Sequence, residues 1–203
     1  MYTTRPGLIL GFHGCDKSLV NDVLTGEKTL QDSDNEYDWL GHGVYFWENS
    51  VARAYEYAHH LKDNPRISRS PIKEPAVIGA IINLGYCLDL LDYKNLKLLK
   101  SAYDVLRITH DASNFPQNRR AKESDELLLR ELDCAVIETV HTIMGEAGEE
   151  IYDSVKGIFF EGTEIYPGAG FREKDHIQIC IKNPNCIKGY FLPRELYKEY
   201  NKV

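Results

Sequence analysis

The stretch Leu40-Gly41-His42-Gly43-Val44-Tyr45-Phe46-Trp47-Glu48-Asn49 constrains the fold more than any other part of the chain. Glycines at 41 and 43 reach backbone angles that a Cβ forbids, so a tight turn is expected there. Val44, Tyr45 and Phe46 are strand formers. Asn49 or Ser50 suits a helix N-cap ahead of Val51-Ala52-Arg53-Ala54-Tyr55-Glu56-Tyr57-Ala58. A turn, a short strand and a capped helix in so short a span frame a flat ligand, with bare backbone at the glycines and a ring beside it. Taken alone, the same residues also read as a hydrophobic strand next to a turn.

With 203 residues, the chain suits one domain, or one domain with a large insertion. At 43% hydrophobic and 11% aromatic residues it can bury a sizeable core. The net charge of −7 disfavours non-specific nucleic-acid binding, in which cationic side chains neutralise phosphates, while leaving room for a local basic groove. Cys15, Cys87, Cys134, Cys180 and Cys186 are an odd set without metal-ligand spacing, which suggests free thiols in a reducing cytoplasm. No apolar run approaches a membrane span, and Met1 to Pro6 lack a signal-peptide layout. A cytoplasmic protein without membrane contact is expected.

Along the chain, Gly7 to Gly14 reads as a short apolar strand ending at a His-Gly pair. Asp16 or Ser18 can cap a helix that stops at Gly26. Residues 27–39 read as a surface loop, and the helix from Ser50 ends near Asp63-Asn64-Pro65, before a loop from Arg66 to Pro75. Ala76 to Leu84 is nearly continuously apolar, as a central strand would be, and Gly85 to Leu90 continues it or turns into another. Leu96, Leu99, Tyr103 and Leu106 recur at helical spacing between Asn95 and Leu106. Arg119-Arg120-Ala121-Lys122 is a basic cluster best read as a solvated loop. A helix is expected from Ser124 and Glu126 through Leu132 to Val140. Lys156 to Gly162 is another strand between glycines, and a turn-rich loop runs from Thr163 to Phe171. His176-Ile177-Gln178-Ile179-Cys180-Ile181 alternates strictly, with the isoleucines on one face and His176, Gln178 and Cys180 on the other. Cys186 to Leu192 forms one more strand. Strands at both ends and helices over residues 95–145 indicate an α+β protein. Its sheet is expected to be mainly antiparallel or split, with a helical insertion.

Phe12-His13-Gly14-Cys15, Gly41-His42-Gly43-Val44-Tyr45-Phe46 and the alternating strand through Gln178 together resemble the ADP-ribosyltransferases of the poly(ADP-ribose) polymerase and diphtheria-toxin type. That family is marked by a His on the first core strand, a Tyr in a G-x-G-[IV]-Y-F strand and a Glu near the C-terminus. Ile78 to Leu90 is similar to its third core strand. The resemblance fails over roughly residues 95–150, which we treat as an insertion in a single domain spanning 1–203.

The resemblance implies that NAD is the co-substrate, with its nicotinamide flat against aromatic rings. His13 would hydrogen-bond the adenosine ribose, and Gly14 would present its backbone to the nicotinamide amide. Tyr45 would stack on the nicotinamide, with Tyr55 or Tyr57 as a second ring. Gln178 falls where the family has its catalytic Glu. A glutamine accepts the same ribose hydrogen bond without bringing charge, which favours transfer of a single ADP-ribose over polymer formation. A carboxylate from elsewhere can compensate: Glu161 first, then Glu48 or Asp175. His176 is a further candidate substrate contact, and His42 is expected to be exposed in its turn. No metal is called for, because the leaving group departs without one. The acceptor is a protein, RNA or DNA. Domains of this type are often microbial toxins or defence effectors, which makes an antitoxin-like or regulatory protein a candidate partner. The alternatives are an NAD glycohydrolase with water as acceptor, and a degenerate module that only binds NAD or ADP-ribose.

Overall fold

The computed structural model describes residues 7–68, 70–121 and 126–195, together with Glu199. Strand β1 (Ile9–Asp16) runs straight into helix α1 (Lys17–Thr25), because Asp16 accepts a hydrogen bond from the Ser18 N–H at 2.9 Å and caps it. Gly26 ends α1 in the left-handed region, with φ +78°. After the 27–43 segment come β2 (Val44–Glu48) and α2 (Val51–Asp63), the latter capped by Ser50 on the Arg53 N–H at 3.3 Å. Then follow β3 (Pro75–Ile82), β4 (Cys87–Asp89), α3 (Tyr93–Thr109), β5 (Asn118–Arg119), β6 (Leu129–Arg130), α4 (Glu131–Ala147), β7 (Ser154–Phe159), β8 (His176–Ile181) and β9 (Ile187–Phe191).

Among the described residues, one sheet takes the order β4-β7-β8-β2-β1-β3-β9, and β5-β6 form a separate two-stranded hairpin. All neighbours in the large sheet are antiparallel except β4 and β7. The protein is therefore α+β with a mostly antiparallel sheet. Strand β3 lies one place from the edge, not at the centre as its apolar run suggests; β2 holds the middle. It reads as central because both its faces are covered, by the first core cluster and by α2.

The first core face packs Phe46, Ile78, Ile82, Ile179 and Ile181 against Val20 and Val23 of α1. On the opposite face, Leu40, Leu88, Val155 and Cys180 meet Leu106 of α3 and Ile137 and Val140 of α4. A smaller cluster under α2 joins Phe12, Trp47, Ala54 and Val77. Gly14 lets α2 come close: a Cβ there would lie 2.0 Å from the Ala54 carbonyl oxygen.

The segment expected as an insertion does contain two helices, and they pack on each other and into the second core face. Helix α3 extends beyond the expected Asn95–Leu106 at both ends. Helix α4 starts at Glu131, later than expected, because Leu129 and Arg130 pair with Asn118 and Arg119 as strands; the expected start at Ser124 lies outside the described residues. So does Lys122 of the basic cluster, in which Arg119 pairs with Glu131. Among the described residues, no helix is long and apolar enough to cross a membrane.

Candidate functional site

The three motif-bearing strands are neighbours, in the order β8-β2-β1. Strands β1 and β2 pair only at Gly11–Glu48 and Phe12–Trp47, whereas β1 pairs with β3 over its whole length. Where β1 and β2 part, the His13 ring fills the gap and donates from Nδ1 to the Tyr45 carbonyl oxygen at 2.8 Å. A carbonyl only accepts, so Nε2 carries the lone pair. Burial holds the His13 pKa below its ordinary value, which keeps the ring neutral.

Alternation divides the predicted residues between faces. His13 is opposite Ile78 and packs edge-on to Phe46 at 5.9 Å, on the side of the first core cluster. Tyr45, Trp47 and Gln178 point to the other side, in the registers Tyr45–Cys180 and Trp47–Gln178. The side chains of His13, Tyr45 and Gln178 therefore do not converge; His13 meets only the backbone of Tyr45. The Tyr45 hydroxyl accepts from the Leu40 N–H at 2.8 Å and donates to the Gly41 carbonyl at 2.6 Å. Its ring packs into the second core face, and burial raises its pKa well above the ordinary value. Tyr45 thus fastens the glycine turn to the sheet. It does not stand as an open platform for stacking.

A different set does come together, at the end of β2 and β8 next to α2. Residues 55 and 57 lie on nearly opposite sides of a helix. Tyr55 faces outward against His59, at 4.6 Å, while Tyr57 lies 5.0 Å from Trp47. Tyr57 is partly exposed, and desolvation pushes its pKa up to about 12, with the Tyr37 hydroxyl, Asp38 and Glu161 adding to the rise. Trp47 is 6.4 Å from His176, which also lies 5.8 Å from Phe159 and 6.2 Å from Trp39. Glu161 closes this cluster. It accepts from Arg53 Nη2 at 2.9 Å and its Oε2 lies 3.9 Å from His176 Nδ1. Arg53 also binds Glu56, which takes a second ion pair from Lys174 at 2.7 Å.

Of the three carboxylates considered, Glu161 alone reaches this cluster. Glu48 points to the other face and pairs with the buried Lys156 at 2.5 Å. Asp175 accepts from the Arg172 N–H at 2.9 Å within its own turn. Trp47 and Arg53 are members that sequence reasoning passed over: each is ordinary in its own element, and only the crossing of α2 over β2 joins them.

Several polar atoms in the cluster have no partner within the protein. Trp47 Nε1, Arg53 Nε and His176 Nε2 are each buried without a hydrogen bond. His176 Nδ1 donates to the Lys174 carbonyl at 2.6 Å, so its Nε2 is a bare acceptor. Burial lowers the pKa of His176 and holds it neutral. The half-buried Gln178 stands opposite Trp47 across the strand pair. An unpaired buried polar group costs about 1–3 kcal/mol, so several together on one patch call for an explanation other than folding.

At the opposite end of β8 a groove of about 490 Å³ is lined by Asp32, Asp34, His42, Glu138 and Lys182 among others. None of the residues predicted for catalysis or NAD binding lines it. His42, expected exposed, is half-buried there because its N–H donates to Glu138 at 2.8 Å and its carbonyl accepts from Lys182 at 2.9 Å. All five cysteines are buried and none is in a disulfide. Among the described residues, no group of three or more His, Cys, Asp or Glu is placed to hold a metal ion.

No family model matches the chain, and no curated protein matches it. Among solved structures, one described as the crystal structure of an anti-CRISPR protein is similar at 13% identity and a TM-score of 0.35, covering 88% of this chain and 93% of that one. Similarity at that level fixes neither fold nor function.

Proposed function

We propose that the chain is an NAD-dependent ADP-ribosyltransferase that moves a single ADP-ribose to a macromolecular acceptor, with its reaction centre at the Tyr57–Trp47–Glu161 end of β2 and β8. One observation carries the reading. Segments far apart in sequence, the His-Gly pair, the Gly-x-Gly-Val-Tyr-Phe stretch and the Gln178 strand, lie on adjacent strands β1, β2 and β8, and the Trp47–Gln178 end of β2 and β8 is walled by a tyrosine of the helix that follows β2.

In this reading Tyr57 stacks on the nicotinamide beside the edge of Trp47, the role that Tyr45 cannot fill while its hydroxyl holds the glycine turn. The bond from ribose C1′ to nicotinamide breaks with its electron pair leaving on the nicotinamide nitrogen. Positive charge develops on the ribose, and a nearby carboxylate stabilises it. Glu161 supplies that charge, held in place by Arg53, while Gln178 accepts a ribose hydroxyl. The acceptor's nucleophilic atom then bonds to C1′ and gives up its proton.

The test is to incubate the purified protein with NAD labelled in the adenylate and with mixed cellular protein, RNA and DNA. Nicotinamide release with label retained on one fraction supports the transferase and names the acceptor class. Release without retained label would make the protein a glycohydrolase. Saturable NAD binding without release would make it a binding module, and no binding would overturn the reading.

A further inference from the structure

The unpartnered atoms on the β2–β8 patch form a chemical pattern. Trp47 offers a donor that cannot accept, and Trp47 is 4% exposed. His176 offers an acceptor that cannot donate while its other nitrogen is committed to Lys174, and it is 7% exposed. Gln178, directly across from Trp47 and two residues from His176 on one face, offers both kinds of group. A ligand that satisfies this set carries a carbonyl oxygen and an N–H on neighbouring atoms. An apolar ring leaves both nitrogens unpaired, and a carboxylate can accept from Trp47 but has nothing to donate to His176.

We infer that Trp47 Nε1 and His176 Nε2 read a primary carboxamide, the indole N–H binding its oxygen and the imidazole lone pair binding its NH₂. Within the proposed function, on which this inference rests, that carboxamide is the one on the nicotinamide ring of NAD. His176 is then a specificity-determining residue, and the protein distinguishes NAD from its nicotinic acid analogue through a side chain. The neutrality of His176, enforced by burial, keeps the lone pair available. Tyr57 borders the patch: it rests against Trp47 at 5.0 Å, and the residue is 41% exposed. In this inference the ligand displaces Tyr57 outward and lies under its ring, against the edge of Trp47 that carries the indole nitrogen.

The experiment is calorimetric titration of the full chain with NAD and with nicotinic acid adenine dinucleotide, repeated on His176→Phe, which keeps an aromatic ring beside Trp39 and Phe159. The wild type should bind the nicotinic acid form about tenfold to a hundredfold more weakly, because a site built around a hydrogen-bond donor rejects an analogue that lacks it. In His176→Phe the two ligands should bind within about twofold of each other, as the discriminating lone pair is gone. His176→Asn, whose amide restores an acceptor, should recover part of the preference; it keeps the test decisive if the Phe variant misfolds. Equal wild-type affinity for both dinucleotides, or undiminished preference in a folded His176→Phe protein, would overturn this inference and leave the proposed function standing. No NAD binding by the wild type would overturn both.

Discussion

Strands β2 and β8 carry two neighbouring pairs of residues on one face, and the pairs are treated in opposite ways. At Tyr45–Cys180 the polar atoms are used up by the fold: the Tyr45 hydroxyl both accepts and donates, and Cys180 Sγ lies 3.5 Å from the Gly41 carbonyl oxygen. One register step away, at Trp47–Gln178, the indole Nε1 has no hydrogen bond within the protein. Trp47 is 4% exposed, so its unpaired nitrogen is not explained by access to water, whereas Gln178 is half-buried. Polar groups that hold structure together come with their partners supplied. Buried polar groups left without partners, as Trp47 Nε1 and His176 Nε2 are, mark where a ligand's own groups complete the set.

The largest effect expected from this contrast is on activity. Glu161→Gln should lower nicotinamide release by about a hundredfold or more, the scale for removing a group that stabilises transition-state charge. A Glu161→Gln protein with unchanged turnover would move the reaction centre elsewhere. Next comes Gly14→Ala, which drives a methyl into the Ala54 carbonyl and should lower stability by about 3 kcal/mol in urea denaturation. A loss under about 1 kcal/mol would mean that α2 yields more easily than its packing suggests. On the satisfied side of the patch, Tyr45→Phe strands the Leu40 N–H and Gly41 carbonyl and should cost about 1–3 kcal/mol.

A smaller contribution comes from protons. His13, His141 and His176 are all held below the ordinary histidine value, with burial as the main cause. The unfolded chain therefore takes up protons first as pH falls. Stability from these groups is full above the unfolded value of about 6.5 and declines below it until the folded-state values are passed. Unfolding midpoints in urea at pH 7.5 and pH 5.5 should show the drop, and His176→Phe should make it shallower. Smallest of all should be Gln178→Met. It removes a half-buried amide and should shift stability by less than about 0.5 kcal/mol, even as NAD affinity falls. A clear loss of stability there would erase the contrast with Tyr45.

Much of the local structure was legible from residue types. The caps at Asp16 and Ser50 and the stop at Gly26 are in place, and the alternating strand His176–Ile181 occurs with those bounds. What could not be read was anything set by crossings. Trp47 looks like one more apolar strand residue and Arg53 like one more helix charge until α2 lies over β2. Gly14 reads as a residue kept bare for a ligand, yet the group that approaches it is the Ala54 carbonyl. Tyr45 reads as a stacking ring because its sequence neighbours say nothing about a hydroxyl folded back onto Gly41. Glu161 was legible as a candidate from its place at a strand end, but its tie to Arg53 spans more than a hundred residues and is a property of the fold alone.

The chain has only two tryptophans, Trp39 and Trp47, which makes the site directly observable. In a Trp39→Phe variant the remaining indole emission comes from Trp47 alone. Titration with NAD should then change that emission saturably, with adenosine diphosphate ribose, which lacks the nicotinamide, producing little change. NAD that binds by calorimetry yet leaves Trp47 emission unmoved would contradict the placement of the nicotinamide at the unpartnered end of β2 and β8.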